Sequence, residues 1–184
     1  MRIISGRYGG RILKSPPDRK TRPTSDRLRE TLFNILNPSI HEDTRFLDLC
    51  AGTGAIGIEA LSRGAAWATF VDKSRRACAL IEQNLDLLGI PETSTEVISI
   101  PAETFTGRDH DTQWDIIFFD PPYDIDYAPV LYDFATNGRK LLADGGRLVI
   151  EHRAKNLLPD VLGEMRRWRL LTQGDTCLSF YEYS

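Results

Sequence analysis

The sequence contains few residues of the kinds that cross-link a chain or bind metal. Its 184 residues include only three cysteines, Cys50, Cys78 and Cys177, which lie far apart and form no C-x-x-C pair. An odd number of scattered thiols indicates neither a disulfide framework nor a zinc site. We expect each cysteine to be a small buried side chain.

Long apolar runs are also missing from the sequence. No stretch approaches 18 apolar residues, and the opening Met1–Gly6 lacks the apolar segment of a secretory signal. We therefore expect a protein that stays in the cytoplasm and does not associate with membranes. With 41% hydrophobic and 27% charged residues, the composition is typical of one ordinary folded domain.

Negative charge is scarce in the first 30 residues, although the whole chain has a net charge of −3. This segment carries nine basic side chains against three acidic ones. A basic arm on an acidic body indicates binding to a polyanion, and a solvated basic face is the alternative. Apolar residues on both sides of a glycine-containing turn predict a hairpin within residues 2–14, followed by a proline-bounded connection.

The most informative stretch runs from Phe46 to Gly57 and reads FLDLCAGTGAIG. It predicts a buried strand, a G-x-G-x-x-G loop and the start of a helix. Because glycine has no Cβ, such a loop can bring its backbone against a ligand, while the next helix points its N–H groups toward it. We expect Gly54 to face the ligand, so that valine there would block binding and leave folding intact.

Two carboxylates indicate which ligand the glycine loop binds. Asp72 ends the next apolar stretch, 20 residues after Gly52, where the ribose hydroxyls of a bound nucleoside would lie. Asp48 lies four residues before Gly52, and an anion there suits a ligand with an ammonium and a sulfonium group rather than a pyrophosphate. The pattern favours S-adenosylmethionine over a dinucleotide.

A second motif, Asp120-Pro121-Pro122-Tyr123, directly follows the apolar run Ile116–Phe119. The exocyclic amine of a base is a poor nucleophile, so an enzyme must orient it and stabilise the charge that develops on it. Asp120 and the Pro121 carbonyl can accept hydrogen bonds from the two N–H groups of the amine, and Tyr123 can stack on the base. A simple proline turn is the alternative interpretation.

Strand and helix patterns alternate along the rest of the chain. Helices are predicted from Thr24 or Ser25 to Leu36, after the glycine loop, and from Ser74 to Gly89. Strands are predicted at 46–49, 68–71, 96–100, 115–119, 146–150, 168–171 and 177–183, the last two forming a hairpin at one sheet edge. This order predicts an α/β fold with a doubly wound, seven-stranded, mainly parallel sheet. Asp48, Asp72 and Asp120 would lie at the carboxyl ends of strands.

These motifs resemble the bacterial 16S ribosomal RNA guanine-N2 methyltransferase family, and the likeness extends to Met1–Gly6, Arg22–Asn34 and Gly174–Tyr181. The resemblance implies a Rossmann-like class I methyltransferase domain in residues 24–184, with a small RNA-binding hairpin extension in residues 1–23. It implies S-adenosylmethionine as cofactor and ribosomal RNA, free or in a small-subunit particle, as partner. A monomer and a direct methyl transfer that needs no metal are also expected.

The resemblance assigns roles to individual residues of this sequence. Catalytic roles are expected for Asp120, Pro121, Pro122 and Tyr123. Contacts with the cofactor are expected from Asp48, Ala51, Gly52, Gly54, Asp72, Lys73, Ala102 and Asp120. From the charge of the N-terminal segment, and not from the resemblance, contacts with RNA are expected from Arg7, Arg11, Lys14, Arg22 and Arg27. Pro101 stands where the family usually has an acid or amide for the adenine ring, so Ala102 N–H or Glu103 is expected to replace that contact.

Other functions share part of this pattern. A methyltransferase acting on adenine N6 or on another amine or amide uses a similar loop, usually with Asn in place of Asp120. A nicotinamide dehydrogenase would share the glycine loop and Asp72, but it gives no reason for Asp48 or for the D-P-P-Y motif. A non-catalytic RNA-binding module would keep the basic arm and need not keep both motifs.

Overall fold

The computed structural model describes residues 1–16, 25–122 and 126–183, and a single β-sheet forms its centre. Within those residues the sheet has eight strands: β1 Arg45–Leu49, β2 Trp67–Val71, β3 Thr95–Ile98, β4 Trp114–Phe119, β5 Leu142–Arg153, β6 Val161–Leu162, β7 Met165–Gln173 and β8 Thr176–Tyr183. Their spatial order is β3-β2-β1-β4-β5-β8-β7-β6. The first five strands in this order, β3, β2, β1, β4 and β5, pair in parallel. The last three, β8, β7 and β6, continue the sheet with antiparallel pairing.

The predicted doubly wound, mainly parallel sheet is confirmed, but the count of seven strands is wrong. The additional strand is β6, which pairs with the start of β7 across a turn at Gly163, where φ is 60°. Two residues are too few to leave an alternating pattern in a sequence, so this strand gave no signal. The predicted terminal hairpin is present as β7 and β8, and β8 lies inside the sheet between β5 and β7.

Helices flank the sheet, and the two whose bounds were predicted begin after their expected N-caps. Those in the described residues are α1 Asp26–Leu36, α2 Ala55–Ser62, α3 Arg75–Leu88, α4 Ala102–Thr106 and α5 Ala128–Leu141, with short 3-10 helices at Asn37–Ser39 and Glu92–Ser94. Ser25 Oγ accepts the Leu28 N–H at 3.2 Å, and Ser74 Oγ accepts the Ala77 N–H at 3.3 Å. Gly89 ends α3 in the left-handed conformation, with φ at 65°. Over these same residues, no helix has the length and hydrophobicity needed to cross a membrane.

Both faces of the sheet are covered by apolar side chains. Helices α1, α2 and α3 pack on one face and α4 and α5 on the other, and each layer has its own buried cluster. In β4, Ile116 and Phe118 belong to the first cluster, while Ile117 and Phe119 belong to the second. A strand that is buried on both faces reads as a continuous apolar run, which is why this strand was recognisable in the sequence.

Residues 1–16, hereafter the N-terminal arm, fold back on themselves as the hairpin pattern predicts. An isolated antiparallel bridge joins Arg2 to Ile12, and the Leu13 N–H donates to the Met1 carbonyl at 2.9 Å. Ile3 and Leu13 are both buried in the cluster that contains α1, α2 and α3. The arm is therefore packed on the body of the protein. Residues 17–23 of the predicted extension lie outside the described residues, so its division from the body at residue 23 stays a prediction.

Two buried polar side chains anchor the N-terminal arm. The Glu59 carboxylate, on α2, accepts the Ile4 N–H at 2.7 Å and the Ser5 N–H at 3.1 Å. Asn84, on α3, accepts the Lys14 N–H at 2.8 Å and donates to the carbonyl oxygens of Lys14 at 3.2 Å and Thr53 at 3.0 Å. Glu59 lies on α2, which follows the glycine loop, and Asn84 lies on α3, which follows β2. The arm is therefore hydrogen-bonded to the two helices beside the glycine loop.

Candidate active site

The glycine loop makes a sharp turn between β1 and α2. Cys50, Gly52 and Gly54 all have positive φ values of 63°, 57° and 76°, and the Gly54 N–H donates to the Ala51 carbonyl at 2.8 Å. A left-handed backbone is rare for a residue with a side chain, so Cys50 is held there by the turn around it. The loop brings its backbone to the carboxyl edge of the parallel strands, where ligands bind in this class of fold.

The three glycines of the motif have three different reasons to lack a side chain. A Cβ on Gly52 would meet no atom within 4 Å. A Cβ on Gly54 would lie 3.1 Å from Ile81 Cγ2, and one on Gly57 would lie 2.4 Å from a Phe70 ring carbon. The expectation that a side chain at Gly54 would meet the ligand and spare the fold is therefore wrong. That side chain would meet the core, and Gly52 is the position that opens onto free space.

Asp48 lies in β1, under the start of α2, and is almost fully buried. Its Oδ2 accepts the Gly57 N–H at 2.9 Å. Burial raises the pKa of the Asp48 carboxyl to about 8, although the Gly57 hydrogen bond opposes this shift and the charge of Asp72 adds to it. A cation bound beside Asp48 would favour its charged form, as the predicted ammonium group requires.

Asp72 follows β2 and faces the glycine loop from the neighbouring strand. Its Oδ2 accepts the Gly52 N–H at 3.0 Å, and its Oδ1 accepts the Ser74 N–H at 2.8 Å. Each carboxylate oxygen has a further lone pair, which can accept a hydroxyl of a ribose. Asp72 therefore holds the loop in place and can also contact a nucleoside.

Asp120 follows β4 on the other side of β1, and its N–H donates to the Leu49 carbonyl at 3.3 Å. Phe119 pairs with Ile150, so the residues that follow them, Asp120 after β4 and Glu151 within β5, lie next to each other. Burial, followed by the nearby charges of Glu151 and Asp48, raises the pKa of Asp120 well above its ordinary value. A carboxyl with a raised pKa is suited to accept a proton near neutral pH.

One cavity of about 1160 Å³ brings the two motifs together. Of the expected cofactor and catalytic residues, its wall includes Asp48, Ala51, Gly52, Asp72, Lys73, Ala102, Asp120, Pro121 and Pro122. Glu103, proposed with Ala102 for the adenine ring, also lies in the wall. Tyr123 lies outside the described residues. The volume and the acidic side chains of the wall fit a nucleoside that carries a cationic amino acid part.

The sequence reasoning did not assign roles to two residues in the same wall, Glu151 and Arg29. Glu151 ends the apolar run of β5 as Asp120 ends that of β4, so the rule that selected Asp120 would also have found Glu151. Arg29 lies on α1, among basic residues that were interpreted as one charged segment. Its complete burial could not be read from the sequence.

The basic residues predicted to bind RNA lie at the surface where they are described. Arg7, Arg11, Lys14 and Arg27 are exposed, and Lys14 Nζ donates to Gln83 Oε1 at 3.2 Å. Arg22 lies outside the described residues. Met1 and Pro16, at the two ends of the arm, line the cavity, so the arm borders the candidate active site.

Comparison with known proteins identifies the family. A sequence model of the family described as Conserved hypothetical protein 95 matches residues 1–182. The chain belongs to this family. It is 35% identical over 182 residues to the Escherichia coli K12 protein named Ribosomal RNA small subunit methyltransferase D, covering 99% of this chain and 89% of that protein.

Two further comparisons show likeness over nearly the whole chain. The Bacillus subtilis protein YlbH is 35% identical over 184 residues, which is 99% of this chain and 98% of that protein. The solved structure of yhhF from Escherichia coli has a TM-score of 0.88 and 33% identity, covering 100% of this chain and 98% of that one. The predicted family and its class I methyltransferase fold are confirmed for this chain.

Proposed function

We propose that this protein transfers a methyl group from S-adenosylmethionine to the exocyclic N2 amine of a guanine in small-subunit ribosomal RNA. The observation that carries the proposal is the meeting of the glycine loop and the Asp120-Pro121-Pro122 loop in one cavity. The name of the Escherichia coli relative supports ribosomal RNA as the substrate. We further propose that the protein acts as a monomer in the cytoplasm.

The cofactor half of the cavity is assigned to the carboxyl ends of β1, β2 and β3. S-adenosylmethionine, when bound, supplies a methyl group on a sulfonium and leaves as a neutral thioether. Asp72 accepts the ribose hydroxyls, Asp48 attracts the ammonium group, and the open side of Gly52 lets the backbone approach the ligand. Ala51, Lys73 and Ala102 complete this half of the wall.

The base half of the cavity is assigned to the end of β4 and the start of the next loop. Asp120 and the Pro121 carbonyl accept the two N–H bonds of the amine and aim its nitrogen at the methyl group. As the nitrogen bonds to carbon it gains positive charge, and the Asp120 carboxylate stabilises that charge. The raised pKa of Asp120 then suits it to take the proton that the amine must lose.

Guanine rather than adenine is favoured by the second carboxylate at this edge. The Watson–Crick edge of guanine presents N1–H beside the N2 amine, so two neighbouring carboxylates meet two donors. Adenine presents an N1 acceptor at the same place, and a carboxylate would repel it. Glu151, buried beside Asp120, is the residue assigned to N1–H.

The N-terminal arm is proposed to bind the RNA backbone through its exposed cations, together with Arg27 on α1. The described members of this set are Arg7, Arg11, Lys14 and Arg27. Phosphate contacts of this kind position the RNA and carry no base specificity. The arm is thus the proposed RNA-binding extension, and the target base is selected inside the cavity.

The direct test is to identify the methylated nucleoside. Small-subunit ribosomal RNA treated with the enzyme and S-adenosylmethionine should yield N2-methylguanosine after digestion and mass spectrometry. N6-methyladenosine would favour the adenine alternative, and no methylated product on free RNA or on small-subunit particles would favour the non-catalytic RNA-binding module. Thermal stabilisation by NAD but not by S-adenosylhomocysteine would instead indicate the dehydrogenase.

The roles of the two carboxylates can be separated by kinetics. Asp120→Ala should lower the single-turnover rate by about 10² or more, the loss typical of removing a transition-state hydrogen-bond partner. Glu151→Gln should shift the acid limb of the pH–rate profile to lower pH, because the charge of Glu151 raises the pKa of Asp120. Glu82→Gln, an exposed acid outside the cavity wall, is the control for both variants. A wild-type rate in Asp120→Ala would contradict the mechanism.

A further inference from the structure

Arg29 is a fully buried cation in the wall of the candidate active site. It lies on α1, and none of its side chain is exposed. Its Nη2 donates to the Arg2 carbonyl at 2.7 Å and to Asp26 Oδ1 at 2.8 Å. Its Nε and Nη1 are buried and have no hydrogen-bond partner among the described residues.

Such an arrangement is costly unless a ligand completes it. A buried polar group without a partner loses its hydration and gains nothing in return, and for a charged group this penalty is larger. Asp26 compensates only part of the charge, because its own side chain is 52% exposed to water. Unsatisfied buried donors beside a cavity are the groups expected to meet a bound anion.

The position of Arg29 indicates which part of the cofactor it faces. Arg29 holds the Arg2 carbonyl, and the adjoining Met1 accepts a contact from Thr53 Oγ1 to its Sδ at 3.7 Å. Arg29 therefore lies beside the glycine loop, and Met1 and Thr53 line the same cavity. The proposed function assigns the amino acid part of the cofactor to this loop. That part carries a carboxylate as well as the ammonium group assigned to Asp48.

We propose that one of the two free donors of Arg29, Nε–H or Nη1–H, binds the carboxylate of S-adenosylmethionine. This inference rests on the proposed function. Nη2, which either two-bond fork of a guanidinium requires, is already bound to Arg2 and Asp26, so the contact is a single charge-assisted hydrogen bond. Arg29 and Asp48 would then recognise the two opposite charges of one amino acid group. An RNA phosphate is the other anion with this chemistry, and the experiment separates the two.

The test compares two ligands that differ only in the carboxylate. They are S-adenosylhomocysteine and S-adenosyl-3-thiopropylamine, which lacks that group, and calorimetry gives the affinity of each. Arg29→Met should weaken S-adenosylhomocysteine about 10- to 100-fold, the range expected for hydrogen bonds to a charged group. It should change binding of the carboxylate-free ligand less than about twofold. Arg29→Lys keeps the charge but places its ammonium differently from the guanidinium donors, and it should give an intermediate loss.

Controls make each outcome decisive. Arg108→Met, at an exposed position outside the cavity wall, should leave both affinities unchanged. Equal losses for the two ligands in Arg29→Lys, or no loss for either, would overturn the proposal. So would loss of RNA affinity with intact S-adenosylhomocysteine binding, which would assign Arg29 to a phosphate. Failure of the wild-type protein to bind S-adenosylhomocysteine at all would instead refute the proposed function.

Discussion

Glu59 provides a sharp test of how the N-terminal arm is attached. Its side chain is fully buried, and three donors point at its two oxygens: Ile4 N–H at Oε2, and Ser5 N–H with Arg63 Nε at Oε1. Glu59→Gln keeps the shape of the side chain but replaces one acceptor oxygen with an NH₂ donor. In either orientation of the amide, at least one of these donors faces another donor.

The magnitude follows from the contacts that are lost. One orphaned buried N–H costs about 1–3 kcal/mol, and breaking a buried ion pair costs about 3–5 kcal/mol. The better amide orientation leaves Arg63 with an oxygen partner, and its guanidinium carbon also lies 5.0 Å from the centre of the Phe33 ring. We therefore expect the free energy of unfolding to fall by about 3 kcal/mol. For a chain of this size the melting temperature should fall by about 6–12 °C.

Urea denaturation followed by circular dichroism measures the loss, and hydrogen exchange locates it. The Ile4 amide should lose protection, because it faces the new NH₂ group, whereas the Ser5 N–H keeps the oxygen that it shares with Arg63. Glu82→Gln, an exposed acid on α3, is the matched control and should change stability by less than about 0.5 kcal/mol. If Glu59→Gln were as stable as this control and the Ile4 amide stayed protected, the Glu59 carboxylate would contribute nothing to the attachment of the arm.

Three further predictions concern the cavity and the arm. Because burial raises the pKa of Asp48 to about 8, affinity for S-adenosylhomocysteine should rise about tenfold per pH unit up to that value, and Asp48→Asn should remove the rise. The same carboxyl should lower the free energy of unfolding as pH increases from about 4 to about 8. Gly52→Asn should weaken cofactor binding in calorimetry and leave the fold intact, since asparagine tolerates the positive φ of this position. Gly57→Ala should instead destabilise the protein by about 1–3 kcal/mol, because its Cβ would contact the Phe70 ring. Replacing four cations of the predicted extension, Arg7, Arg11, Lys14 and Arg22, with glutamine should make the slope of log RNA affinity against log salt shallower by roughly 3, at about 0.7 per contact. An unchanged slope would refute the phosphate contacts.

The sequence was sufficient for the parts of the site that depend on local pattern. A strand followed by glycines and a helix has few conformations available, so the turn from Cys50 to Gly54 was predictable. Parallel strands end at a common edge, and this rule was enough to bring Asp48, Asp72 and Asp120 to one cavity. Family membership was predictable because the motifs lie in fixed order over nearly the whole chain.

The parts that depend on packing between distant segments could not be predicted. A Gly54 Cβ would contact Ile81, which is 27 residues away on another helix, and the sequence does not show that contact. Arg29 reads as one more cation in a basic segment, and only the fold shows that it is buried with unused donors. Glu59 looks like an ordinary surface acid of a helix until the arm is seen to cover it.

Asn84 is hydrogen-bonded to both the glycine loop and the N-terminal arm. The same carboxamide holds the backbone of Lys14 and the carbonyl of Thr53. A ligand that orders the glycine loop will therefore also restrict the arm, and one that restrains the arm will restrict the loop. By thermodynamic linkage, any free energy that cofactor binding adds to RNA binding is returned in equal measure by RNA to the cofactor.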